Sequence, residues 1–104
     1  MFTLRQLETF REVVRTRTTV GAAKALNVSQ PAVSNMIRQM ETRIGFPLFE
    51  RLGNRLVPTP DADEIYRDSE SIFSLYQAFS HRIETRQRSE AGHLRLVGTP
   101  PLAN

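Results

Sequence analysis

The stretch Leu26-Asn-Val-Ser-Gln-Pro-Ala-Val33 restricts the fold more than any other part of the chain. It ends one helix and starts another within a few residues. Asn27 suits the left-handed position that closes a helix. Val28 can plug a core from the turn. Ser29 is placed to cap the next helix, and Pro31 falls in its first turn, where a missing N–H costs nothing. Upstream, Thr18 or Thr19 can cap a short helix whose Ala22, Ala23 and Leu26 face inward. The two adjacent alanines let a neighbouring helix approach closely. Downstream, Val33, Ile37, Met40 and Ile44 recur at helical spacing, and Gly45 ends the run. Two helices of unequal length around so short a turn form a helix-turn-helix pattern.

The second of these helices carries a face opposite its apolar stripe. Gln30, Ser34 and Arg38 are spaced four residues apart, and Asn35 lies beside them. Ser29 has a structural task as a cap, and the helix N-terminus is itself an anion site. Gln30, Ser34 and Asn35 have no need to be polar for the fold. They read as a surface that recognises hydrogen-bonding edges, such as those of bases in a DNA groove.

The surroundings complete a small domain. Thr3 and Gln6 have the spacing of a capping box, and Leu4, Leu7, Phe10, Val13 and Val14 predict a first helix over about residues 4–16. Phe46, Pro47, Leu48 and Phe49 are expected to pack beneath the helices. Glu50-Arg-Leu52 and Arg55-Leu-Val57 flank Gly53-Asn54, which predicts a β-hairpin with Arg51 and Arg55 on its two arms. A basic hairpin beside a reading helix can act as a wing on the DNA backbone or in the minor groove.

Charge is divided to match. Residues 1–60 hold nine basic and four acidic side chains, whereas residues 61–104 hold five basic and seven acidic. A basic first half suits a polyanionic partner. Hydrophobic residues make up 39% of the chain, enough for one modest core. Cys is absent, which excludes disulfides, thiol nucleophiles and Cys-based metal sites. His81 and His93 have no partner set, so no enzyme constellation is expected. Asp61, Asp63, Glu64 and Asp68 are explained by a helix start rather than a metal. No apolar run is long enough to span a membrane, and no secretory signal is visible.

Thr59-Pro60-Asp61 opens a further helix. Ile65, Ser69, Ile72, Tyr76, Phe79 and Ile83 alternate by four and three, a heptad seam running to about residue 88. A helix of about 28 residues would be about 42 Å long, too long to bury this seam on one small domain. Self-association through it is the expectation, with Phe73 and Leu75 flanking the seam and holding the helix against its own domain. Gly92 is expected to break the helix. His93-Leu-Arg-Leu-Val97 then reads as a strand closed by Thr99-Pro-Pro101.

The run AAKALNVSQPAVSNMIRQMETRIGFPLFERLGNRLVPTP resembles the N-terminal domain of LysR-type transcriptional regulators. VSQPAVS, LFER and the Thr-Pro before a long helix carry the resemblance, which extends over about residues 2–88. It implies a mainly α fold: a winged helix-turn-helix at residues 2–59, then a linker helix at residues 60–89 that joins a homodimer. Residues 90–104 resemble the start of an effector-binding domain that the chain lacks, and are expected to be disordered. The resemblance also implies a cytoplasmic bacterial regulator that binds a dyad-symmetric operator in double-stranded DNA. A small-molecule co-inducer is implied for the full-length protein and no cofactor for this chain; whether the full protein is a tetramer stays open. Carried over residue by residue, the DNA-contacting positions fall on Ser29, Gln30, Pro31, Ser34, Asn35 and Arg38, with Arg51 and Arg55 on the wing. Three positions depart from the family pattern. Asn35 stands where Arg is common, and Asn pairs with adenine where Arg prefers guanine. Arg17-Thr-Thr-Val20 replaces a loop that usually begins Gly-Ser. Ala62 replaces Gly. The alternative is a helical interaction module with weak, nonspecific nucleic-acid binding, which would present apolar or aromatic residues where Gln30, Ser34 and Asn35 stand.

Overall fold

The computed structural model describes residues 2–96, with side chains through residue 90. Three helices are followed by a two-stranded hairpin and a long helix: α1 Leu4–Thr16, α2 Thr19–Leu26, α3 Gln30–Ile44, β1 Phe49–Leu52, β2 Arg55–Pro58 and α4 Pro60–Leu96. This is the expected mainly α, winged helix-turn-helix architecture. The chain divides into two compact units, Met1–Ser69 and Glu70–Asn104, so the first turns of α4 belong to the first unit.

Local chemistry sets each helix boundary. Thr3 and Gln6 form a full capping box: the Gln6 N–H donates to Thr3 Oγ1 and the Thr3 N–H donates to Gln6 Oε1, both at 3.0 Å. Thr18, rather than Thr19, caps α2, its Oγ1 accepting from the Gly21 N–H at 2.9 Å. Asn27 closes α2 in the left-handed region at φ 58°, and Gly45 closes α3 at φ 88°. Ser29 caps α3 by accepting from the Ala32 N–H at 3.2 Å. Thr59 starts α4, its Oγ1 accepting from the Ala62 N–H and donating to the Pro47 carbonyl at 3.0 Å.

The core lies among α1, α2, α3, the hairpin and the start of α4. Phe10, Val13, Ala22, Met40, Leu48 and Ala62 are each fully buried. Phe10 and Phe49 meet with ring centroids 5.8 Å apart. Burying a side chain the size of Phe10 or Leu48 contributes roughly 1.5–3 kcal/mol. Val28 packs against this cluster from the turn, as do Leu7, Ile44 and Phe46. Leu4 differs from the expected stripe and is 40% exposed. Pro47 is also exposed.

The hairpin pairs antiparallel, with Arg51 opposite Leu56 and Leu52 opposite Arg55. Gly53 takes the first turn position at φ 63°, where a side chain would be strained. The Leu56 N–H donates to the Arg17 carbonyl at 2.8 Å, tying β2 to the turn between α1 and α2. Arg11 of α1 donates to Ser69 Oγ at 2.8 Å and lies 4.7 Å over the Tyr66 ring. Ser69 in turn donates to the Tyr66 carbonyl at 2.7 Å.

Two expectations for α4 are corrected. The helix does not break at Gly92, and residues 93–96 are helical rather than a strand. One Gly inside a helix costs only about 1 kcal/mol. A helix satisfies its own backbone, whereas a lone strand has no partner for its N–H and C=O groups. Residues 90–96, expected to be disordered, thus belong to α4, whereas residues 97–104, with Val97 and the Thr99–Pro101 ending, lie outside the described residues. The seam is also split. Ser69 is 3% exposed and Ile65 is half-buried against the core, so both face their own unit. Ile72, Tyr76, Phe79 and Ile83 are exposed, and Leu75, expected to turn inward, is 66% exposed. Phe73 stacks on Tyr76 with centroids 6.0 Å apart.

Candidate nucleic-acid interface

The turn at Asn27 and the cap at Ser29 turn the outer face of α3 away from the core. Val33, Ile37 and Met40 point inward and are buried. Gln30, Pro31, Asn35 and Arg38 are exposed, and Ser34 is half-buried. The residues singled out from sequence on α3 therefore lie on one accessible face.

This face is partly organised by its own hydrogen bonds. Gln30 Nε2 donates to Thr19 Oγ1 at 2.9 Å, joining the N-terminus of α3 to that of α2. Arg38 Nη1 donates to Asn35 Oδ1 at 3.0 Å. Ser29 Oγ is engaged at the cap. The amides of Gln30 and Asn35 are thus not free rotors, since each has one polar atom committed within the protein.

Two shallow grooves border the face. One lies between α3 and the hairpin, lined by Thr19, Ser34, Arg38, Glu41, Arg51 and Leu56 among others. It brings Arg51 of the wing alongside Ser34 and Arg38. Glu41 lies in this groove, but its Oε2 accepts from the Leu48 N–H at 2.8 Å and the Phe49 N–H at 3.3 Å. Its charge therefore serves the entry into β1. The other groove is lined by Gln6, Asn35, Arg38, Gln39, Thr42 and Arg43.

The two wing arginines do not share a face. Arg51 lies opposite the buried Leu56, whereas Arg55 lies opposite Leu52, which is 62% exposed. Cross-strand partners share a face and successive residues alternate, so Arg51 and Arg55 belong to opposite faces of the hairpin. Arg51 belongs to the α3 side and Arg55 to the other.

Thr19, Gln39, Thr42, Arg43 and Gln6 also line these grooves and were not among the DNA-contacting positions expected from sequence. A signal was available for three of them: Gln39, Thr42 and Arg43 continue the polar face of α3 at helical spacing from Asn35. Thr19 and Gln6 come from other helices, and nothing local marks them as neighbours of α3. Among the described residues no group of His, Cys, Asp or Glu could hold a metal ion, and no helix is long and apolar enough to cross a membrane.

Comparison with known proteins places this geometry. The family model for the bacterial regulatory helix-turn-helix protein, lysR family, matches residues 4–63. The transcriptional regulator DgcR of Pseudoalteromonas sp is 36% identical over 99 residues, covering 95% of this chain and 34% of that protein. The octopine catabolism/uptake operon regulatory protein OccR of Rhizobium meliloti is 36% identical over 101 residues, covering 97% of this chain and 34% of that protein. The chain thus spans about a third of the length of these curated relatives. Among solved structures, a CbnR DBD–DNA complex matches with a TM-score of 0.68 and 29% identity, covering 86% of this chain and 99% of that one. Helix order, hairpin, α3 face and family match agree, and the chain belongs to the lysR family of bacterial regulatory helix-turn-helix proteins.

Proposed function

We propose that the chain is the operator-reading part of a dimeric LysR-type transcriptional regulator, binding double-stranded DNA sequence-specifically. The observation that carries this reading is the outer face of α3. It presents Gln30, Ser34, Asn35 and Arg38 together, beside a groove that Arg51 borders. Amides and a guanidinium are the groups that discriminate base edges in a major groove. Similarity to the solved CbnR DBD–DNA complex over most of the chain supports the same reading. In this mechanism α3 enters the major groove, while the helix N-terminus capped by Ser29 holds phosphate and Pro31 lies against the backbone. Arg51 and Arg55 serve the backbone or minor groove. Ile72, Tyr76, Phe79 and Ile83 join two copies, so the operator has dyad symmetry. The full-length regulator acts in the cytoplasm and responds to a small-molecule co-inducer bound outside this chain. No catalytic role is proposed.

Selection from a pool of random duplexes at moderate salt tests the reading. Enrichment of a symmetric site with half-sites on one face of the duplex is expected. Gln30→Ala should then weaken that site by about 1–3 kcal/mol and random DNA very little. A chain that enriches no site would sink the proposal in favour of a helical interaction module.

A further inference from the structure

Asn35 and Arg38 touch each other, and the chemistry of the contact fixes its sense. A guanidinium has donors only, so the Asn35 amide meets Arg38 with its oxygen, at 3.0 Å from Nη1. An Asn that reads adenine unaided aims its oxygen and its NH2 together at N6 and N7. Here the oxygen already accepts from Arg38, so one of its two lone pairs is engaged within the protein and its direction is set by that bond. Arg38 keeps four of its five N–H donors for other partners. It is also the longer side chain of the two, and Arg is the ordinary bidentate partner of guanine O6 and N7. Anchoring one donor of a long, flexible side chain removes part of the ordering that binding would otherwise require. Gln30 belongs to a separate arrangement, because its amide is held by Thr19 on α2.

We propose that Asn35 is a positioning residue for Arg38: its Oδ1 holds the guanidinium over the α3 face, and the specificity of this part of the helix belongs to an Arg38–guanine contact. The proposal rests on the DNA-reading function above. Asn35 thus supplies a hydrogen-bond acceptor for a guanine-reading Arg one turn away rather than reading adenine itself.

The test is selection from random duplexes by the purified wild-type chain and by the N35A, R38A, N35A/R38A, N35D and Q30A variants. Asn35 and Arg38 are exposed, so these substitutions leave the core intact. N35A and R38A should relax preference at the same base pair, each by about tenfold, and the double variant should lose no more than R38A alone. N35D keeps an acceptor for Arg38. It should retain the wild-type preference at that base pair even as its added charge weakens binding to all duplexes. Q30A should relax a different base pair. Relaxation of different base pairs by N35A and R38A, or losses that multiply in the double variant, would overturn the pairing while leaving the DNA-reading function standing. A wild-type chain that enriches no site would overturn both.

Discussion

Gly21 shows how little room the turn between α1 and α2 leaves. A Cβ there would lie 2.8 Å from Thr18 Oγ1 and 2.9 Å from Thr16 Cβ. Thr18 Oγ1 is the α2 cap and accepts from the Gly21 N–H itself, so it cannot retreat without giving up the cap. Thr16 is held as well, its hydroxyl donating to the Glu12 carbonyl at 2.8 Å. Gly21→Ala should therefore lower stability by about 1–3 kcal/mol despite the better helix propensity of Ala. Thermal or urea unfolding checks this, and an unchanged midpoint would mean that the turn adjusts freely. The same turn marks a limit of legibility. Asn27 and Gly45 were readable as helix ends because their residue types favour positive φ. Arg17 also has positive φ, at 63°, yet Arg has no such preference. Two local bonds hold it, its N–H donating to the Val13 carbonyl and its Nε to the Val14 carbonyl, and one long-range bond does so too, its own carbonyl accepting from Leu56 of the hairpin. Such a tie, across 39 residues, leaves no trace in local sequence.

At the level of elements, α3 and the hairpin are joined by Glu41. Its Oε2 accepts two backbone N–H groups at the entry to β1, from Leu48 and Phe49. Glu41→Ala would leave both donors without their acceptor beside a core residue that is fully buried. A loss of about 1–3 kcal/mol is expected, with Glu41→Gln recovering part of it because an amide oxygen still accepts. Equal losses for the two variants in urea unfolding would assign the effect to something other than these bonds. The hairpin yields a second prediction. Arg51 belongs to the α3 side of the wing and Arg55 to the opposite side. On the proposed DNA-bound geometry, Arg51→Ala should weaken all sequences and reduce the slope of log affinity against log salt by about one. Arg55→Ala should change the slope less. Equal effects would mean that the wing turns over on binding. Helix, turn and hairpin were legible because caps, Gly-led turns and apolar spacing are local signals. The opposite facing of the two arginines was also implicit in the alternation of strand residues, but it needed the register. The contribution of Glu41 was not legible, since a Glu on a polar helix face looks the same whether or not it accepts from a neighbouring loop.

For the whole molecule, the heptad count in α4 identified an apolar seam but not where it changes duty. Ile65 and Ser69 fit the four–three spacing as well as the residues after them, because a helix keeps its period whatever packs against it. Only the fold shows that Ser69 is buried under Arg11 and Tyr66. The tail misled for a related reason. Alternating Leu and Arg after a Gly reads as a strand when no neighbour is specified, yet a helix already under way can absorb those residues. This division separates two kinds of variant. Ser69→Ala removes the Arg11 bond inside the first unit, so it should lower the unfolding midpoint and leave association unchanged. Ile72→Asp acts on a side chain that is 55% exposed in the single chain and should leave folding intact. If two copies pair through Ile72, Tyr76, Phe79 and Ile83, each buried Ile contributes roughly 1.5–3 kcal/mol, and an unpaired carboxylate in its place reverses the sign. Sedimentation equilibrium should then show dimers for the wild type and for Ser69→Ala, and monomers for Ile72→Asp. Dimers that survive Ile72→Asp would move the interface off this face of α4 and remove the structural basis for a dyad-symmetric operator.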